Sequence, residues 1–220
     1  MKYHLPFGIR LNKNDNSSYI SKEEYVKLSH YAADNKIKLE GFKKFKGNIK
    51  DIMELIDDIV VIAQDFPLIL DDYKSVVLSL DTTSCDDDFS TTVMHIVYLN
   101  ASLYNDIDYL KSEYELAVEQ GKFVQGTDYH SVIRHEIGHV VANKYKIDTM
   151  AVAQSIFPDK TRAELIEYVK NNVSLYAATY NDGREFISEC FSAYYSNVAN
   201  DFEINYVKGC MEYGKGGNVL

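Results

Sequence analysis

Two histidines separated by three residues carry the clearest chemical signal in the sequence. His135 and His139 flank Glu136 in a run of the form H-E-x-x-H. On a helix, residues four positions apart lie on the same face, so both imidazoles can reach one metal ion. The carboxylate of Glu136 can then lie beside that ion without binding it and act as a base. The pattern is typical of hydrolytic zinc sites.

The residues around this motif predict the helix that it requires. A glycine, Gly138, lies inside the helix, where it costs roughly 1 kcal/mol relative to alanine. A residue without a side chain beside a candidate ligand indicates that another part of the chain comes close. The alternative interpretation is a buried helix with two hydrogen-bonded core histidines. The apolar residues at helical spacing are Val132, Ile133, Ile137, Val140 and Val141.

The other histidines are weaker candidates for a third ligand, which a zinc site of this kind needs. His130 precedes the motif by five residues, would face away from His135, and is expected at the surface. His95 lies in an apolar run and is expected to be a core or groove residue. Position 145, where a metzincin would have a further histidine, is Tyr145. The remaining two, His4 and His30, are isolated in the sequence.

Two glutamates about fifty residues downstream are better candidates. Residues 184–196 predict an amphipathic helix, and Glu185 and Glu189 lie four positions apart on one face of it. One can bind the metal, and the other can accept the free N–H of a ligand histidine. A solvated helix face with two acids is the alternative, but like charges at this spacing are mildly destabilising unless something binds them.

The elements that must position these residues follow from capping and periodicity. Helix-capping residues followed by apolar spacing predict further helices over residues 21–35, 49–65, 106–120 and 161–172. β-Branched apolar runs predict two strands, over 76–80 and 91–99, and a short strand or loop over 37–45. We predict an α+β fold with a small mixed sheet, an active-site helix and a C-terminal helical subdomain. Its expected division is a mainly helical segment, 1–75, and a domain that carries the motif, 76–220.

Composition limits the partners and the compartment. The net charge of −10 argues against a nucleic-acid partner, because phosphate binding needs clustered lysines and arginines. Three cysteines without C-x-x-C spacing predict free thiols in a reducing compartment. No signal peptide and no membrane span are evident, so we expect a cytoplasmic protein, with signal-independent secretion or association with a phage particle left open. The polar residues 1–20 predict an arm, and Asp86–Asp88 a solvated loop.

The two motifs together resemble those of a known family. H-E-I-G-H followed by E-F-I-S-E-C-F-S-A-Y-Y is similar to the gluzincin metallopeptidases, in particular the group of anthrax toxin lethal factor and the bacterial Pro-Pro endopeptidases. The resemblance covers roughly residues 93–196. It implies a zincin-like fold and a Zn²⁺ ion bound by His135, His139 and Glu185, with Glu189 supporting the site.

The same resemblance implies an endopeptidase that acts on a protein or peptide. Glu136 would be the general base, and a tyrosine upstream of the ligand glutamate would stabilise the oxyanion. Tyr176 matches that tyrosine, but its distance from Glu185 is about two residues longer than the family has, so Tyr180 is the rival. The strand over 93–99 is expected beside the cleft, with an exposed edge that can pair with an extended peptide.

Two other interpretations stay open at this stage. One is a regulatory protease of a phage or mobile element that cleaves a repressor. Proteins of that kind usually have E-x-x-A-N-x-F-A in the later segment, whereas this chain has the run Glu189-Cys190-Phe191-Ser192-Ala193. The other is a non-catalytic structural module that zinc stabilises.

Overall fold

The computed structural model describes residues 18–71, 74–81, 83–85, 88–180 and 182–214. The predicted arm lies outside this part except for residues 18–20, and the acidic loop lies outside it except for Asp88. Within the described ranges, the chain has a mixed α+β fold with nine α-helices and one small four-stranded sheet.

The helices begin largely where the capping residues predict. Ser21 and Thr161 each form a capping box: the hydroxyl accepts the N–H three residues on, and the glutamate there accepts the N–H of the cap residue. Asn48 caps its helix by accepting the N–H of Lys50. The helices are α1 (Lys22–Asp34), α2 (Ile49–Asp65), α3 (Ala101–Tyr104), α4 (Ile107–Glu119), α5 (Ser131–Tyr145), α6 (Thr149–Ile156), α7 (Arg162–Asn172), α8 (Phe186–Tyr195) and α9 (Asp201–Gly214).

Helix α6 lies in a stretch whose sequence shows no regular apolar pattern. It has a local start signal, since Asp148 accepts the N–H of Ala151. Its buried residues Val152 and Ala153 face helix α9 and the surrounding core. The helix is therefore stabilised by packing against a distant element, which periodicity in one short segment does not reveal.

The sheet differs from its prediction in one respect. Its strands are β1 (Lys38–Glu40), β2 (Val77–Asp81), β3 (Ser90–Val93) and β4 (Ile96–Asn100), in the spatial order β1-β2-β4-β3. The pairs β1–β2 and β2–β4 are parallel, and β3–β4 is antiparallel. The predicted single strand over 91–99 is wrong, because the chain reverses at Met94 and His95.

This reversal changes which strand has the exposed edge. Met94 makes the turn with a φ of +58°, although it is neither glycine nor asparagine, so no turn residue marks the position. Strand β4 is consequently central in the sheet, and the edge expected for residues 93–99 belongs to β3.

Helix α5 lies at the centre of the molecule. It packs against α8 on one side and against α2 and strand β3 on others, so its apolar residues are buried. Strand β1 and helix α2, which precede residue 76, belong to the same sheet and the same core as the later elements. In the part of the chain that the structure describes, none of the helices combines the length and hydrophobicity required to cross a bilayer.

Candidate metal centre

Helix α5 places the two motif histidines one above the other. His135 is buried, with 7% of its surface exposed, and His139 is half-buried. Their ring centroids lie 5.0 Å apart. This is the arrangement that the i, i+4 spacing predicts, and it directs both rings toward the start of helix α8.

Glu185 meets both histidines. Its Oε2 atom lies 3.3 Å from Nε2 of His135 and 3.1 Å from Nε2 of His139. Two ligand atoms about 2.0–2.2 Å from a tetrahedral zinc ion would lie roughly 3.3–3.6 Å apart. Both distances from Oε2 are therefore close to the ligand spacing of such a site, and the three predicted ligand atoms lie within 4.8 Å of one another.

Glu185 completes a group of three side chains that could hold a metal ion. Oε2 of Glu185 is buried, and its polar neighbours include the Nε2 atoms of His135 and His139. The three ligand atoms lie within 4.8 Å of one another, and no other such group of three occurs within the described ranges. Two imidazoles and one carboxylate form a donor set that suits zinc and leaves one position open.

Glu189 forms a hydrogen bond with the second ring nitrogen of His135, Nδ1. Its Oε1 atom lies 2.8 Å from Nδ1 of His135, and its side chain is fully buried. An ionised carboxylate only accepts hydrogen bonds, so Nδ1 is the donor to Glu189, and in a neutral His135 ring the lone pair of Nε2 would face the metal position. The role predicted for Glu189 thus has the geometry it needs.

The neighbouring side chains of the cluster shift the pKa values of His135 and Glu185. Burial alone would lower the pKa of His135, but Glu185 and Glu189 beside it raise that pKa well above its usual value. Burial alone would raise the pKa of Glu185, but hydrogen bonding and the charges of His135 and His139 hold it well below its usual range. Buried carboxylates that stay ionised need a positive charge, which a proton or a metal ion can supply.

A close contact between two helices brings the glutamates to the histidines. A Cβ atom at Gly138 would lie 2.9 Å from the Cα atom of Ser188 and 3.3 Å from the carbonyl oxygen of Ile187. Real Cβ atoms essentially never approach a backbone so closely. Gly138 therefore has the function predicted for it, since its missing side chain lets the backbone of α8 approach α5.

Glu136 faces strand β3. Its two carboxylate oxygens accept hydrogen bonds from Ser90 Oγ at 2.8 Å and from Thr92 Oγ1 at 2.5 Å. Sequence analysis does not identify these two hydroxyl residues. A weak signal exists, because residues 90 and 92 share a face of a strand, but serine and threonine are common in strands and loops.

The structure distinguishes the two candidate tyrosines. The ring centroid of Tyr176 lies 5.4 Å from that of His135, and Phe123 supports the tyrosine ring from another side at 5.5 Å. Burial, and then the charges of Glu185 and Glu136, raise the pKa of Tyr176, so its hydroxyl stays protonated and can donate. Tyr180 instead packs against the guanidinium of Arg184, 4.6 Å from its ring centroid.

The remaining described histidines lie outside the centre. His130 is half-buried rather than superficial, and its Nδ1 atom lies 2.6 Å from Oδ2 of Asp58. Arg134 donates to the other oxygen of the same carboxylate, so this group connects α5 to α2. His95 is partly buried in the turn between β3 and β4, and His30 lies in α1.

Comparison with known proteins does not extend this picture: no family model matches the chain, and no curated protein or solved structure does either. The resemblance to gluzincins rests on the two short motifs. The residues of the site therefore provide the evidence on function.

Proposed function

We propose that the chain is a zinc-dependent endopeptidase with a zincin-like fold. The observation that carries the proposal is the convergence of His135, His139 and Glu185, with Glu136 beside them on the same helix. A structural role alone would not need a base next to the three ligands. Nor would it need a tyrosine ring packed against one of the three candidate ligands.

The metal would be held by Nε2 of His135, Nε2 of His139 and Oε2 of Glu185. When bound, zinc supplies Lewis acidity, which polarises a scissile carbonyl and lowers the pKa of water toward neutrality. Glu189 keeps the His135 ring in the orientation and tautomer that the site requires.

The chain's own residues account for the proton movements. Glu136 accepts the proton of the attacking water and then delivers it to the leaving amine. Tyr176 donates its hydroxyl hydrogen to the oxygen of the tetrahedral intermediate, where negative charge develops. This role needs a protonated hydroxyl, and burial raises the pKa of Tyr176 above its ordinary value of 10.

The proposed binding place for an extended peptide is the edge of the sheet. Strand β3 is an edge strand of the sheet and packs against helix α5. A substrate backbone could pair with the open edge of β3 and so pass the metal centre. Proteins and peptides are therefore the proposed substrate class. An edge strand binds the main chain of a substrate through hydrogen bonds and does not by itself select the substrate's side chains.

Incubation of the purified chain with a peptide library, with cleavage products identified by mass spectrometry, tests the proposal. We expect cleavage that a chelator abolishes and that added Zn²⁺ restores. Glu136→Gln should keep one zinc per chain and lose cleavage. Zinc bound without any cleavage would favour a zinc-stabilised structural module. Absence of metal, with a stable His135→Ala variant, would favour a helix with ordinary buried histidines.

A further inference from the structure

The carboxylate of Glu136 is held at both ends by hydroxyl groups of another element. Ser90 Oγ donates to Oε1 and Thr92 Oγ1 donates to Oε2, while the same threonine hydroxyl lies 3.3 Å from the Glu136 carbonyl oxygen. Ser90 and Thr92 lie two residues apart on β3, so both point to the face of the strand that packs on α5.

These contacts determine the orientation of the carboxylate. A glutamate side chain has three rotatable bonds, and a single hydrogen bond would let it rotate about the contact. Two donors at separate oxygens fix the plane of the group, and Ser90 is itself buried. A carboxylate has about four acceptor positions, so two remain for other donors such as a water molecule.

We propose that Ser90 and Thr92 are positioning residues for Glu136, holding its carboxylate in the orientation in which it removes a proton from water. This inference rests on the proposed function, because it assumes that Glu136 is the base. Orientation matters for such a group, since a small misplacement of a reacting atom lowers the rate steeply.

Strand β3 would then contribute both to peptide binding and to the positioning of the base. Its open edge is where an extended peptide would pair, and its inward side chains hold the base. The scissile bond and the proton acceptor would therefore be positioned by the same four residues of chain. An apolar pair at positions 90 and 92 could pack the strand onto α5 equally well, but it could not orient a carboxylate.

Kinetics of Ser90→Ala, Thr92→Val and the double variant test the inference. We expect kcat of the double variant to fall about 10–100-fold, with KM changing much less and zinc stoichiometry unchanged. Thr92→Ser should recover most of the activity, because it keeps the hydroxyl. Ser192→Ala is the matched control, since it removes a buried hydroxyl that also bonds to α5, at the carbonyl of Ser131, without touching Glu136.

A second measurement does not depend on activity. Thr92→Val should lower the thermal unfolding midpoint of the wild-type protein and should have little effect when Glu136 is already alanine. Equal shifts in both backgrounds would overturn the inference, as would an unchanged kcat in the double variant of an active enzyme. A wild-type protein that binds zinc but cleaves nothing would refute the proposed function and the catalytic role of the two hydroxyls together.

Discussion

The backbone of Ser188 occupies the space that a side chain at residue 138 would need, because a Cβ atom at Gly138 would lie 2.9 Å from the Cα atom of Ser188. Glu185 and Glu189 lie on either side of Ser188 along the chain. The distance between helices α5 and α8 therefore determines whether the carboxylates reach the imidazoles. The glycine at position 138 thus links helix packing to the geometry of the candidate metal centre.

Gly138→Ala should separate the two helices. Alanine favours a helix by roughly 1 kcal/mol, but backbone atoms cannot rotate away as a side chain can. We expect a net loss of about 1–3 kcal/mol in the free energy of unfolding, measured by denaturant titration, together with weaker zinc binding. Gly209→Ala in α9 is the control. Its new methyl group would lie 3.0 Å from a side-chain atom of Val152, which can move aside, and α9 carries none of the candidate ligands. Full stability and zinc affinity in Gly138→Ala would show that the close contact does not position the ligands.

Glu189→Gln should weaken metal binding without removing a ligand. The amide keeps the shape and one acceptor oxygen of the side chain but loses the charge that faces Nδ1 of His135. Groups that orient a ligand histidine typically contribute about 10–100-fold to metal affinity. Competition with a chromophoric chelator measures the change, and Glu167→Gln on the exposed face of α7 is the control. An unchanged affinity would assign Glu189 to packing alone.

Tyr176→Phe should lower the rate and leave zinc in place. Loss of one donor to the oxyanion typically costs about 10²–10³ in kcat. Tyr180→Phe should cleave at nearly the wild-type rate, because Tyr180 packs on Arg184 rather than near His135. Steady-state kinetics on one cleaved peptide compares the two variants. A larger loss of kcat in Tyr180→Phe than in Tyr176→Phe would make Tyr180 the donor.

Glu203 should make stability depend on pH. It is buried near the start of α9, where Oε2 accepts the N–H of Asn200 at 2.6 Å and Oε1 has no hydrogen-bond partner within the described part of the chain. Burial raises the pKa of Glu203 to about 7, above its ordinary value of 4.5. The folded state then binds the proton more tightly than the unfolded state. Its stabilising contribution is complete below the ordinary value and is lost as the pH rises through 7.

Glu203→Gln tests this linkage. The variant keeps an acceptor for Asn200 without a titrating group, so the loss of stability between about pH 4.5 and 7, on the order of 2–3 kcal/mol, should disappear. Denaturant unfolding at several pH values measures it. Glu212→Gln, at an exposed position of the same helix, should keep the wild-type pH profile. A free energy of unfolding of the wild-type protein that does not change across this pH range would contradict the raised pKa of Glu203.

Local signals in the sequence predicted the helices well and the sheet less well. Capping boxes at Ser21 and Thr161 act within four residues, so they are visible without the fold. The turn at Met94 has no such marker, because a methionine with a φ of +58° is held there by the pairing of β3 with β4. Helix α6 was likewise not predicted from the sequence, because its stability comes from packing against α9.

The sequence by itself determined that His135 and His139 share a helix face with Glu136 between them, because helix geometry relates residues four positions apart. It also identified Glu185 and Glu189 as partners and Gly138 as a point of close approach. Only the tertiary structure decided that Glu185 meets both histidines, that Tyr176 rather than Tyr180 lies beside His135, and that hydroxyls from β3 hold Glu136. Those contacts join residues about 40 to 54 positions apart. The packing of α5 with α8 and β3 brings these residues together. That packing cannot be predicted from the spacing of residues within one short segment.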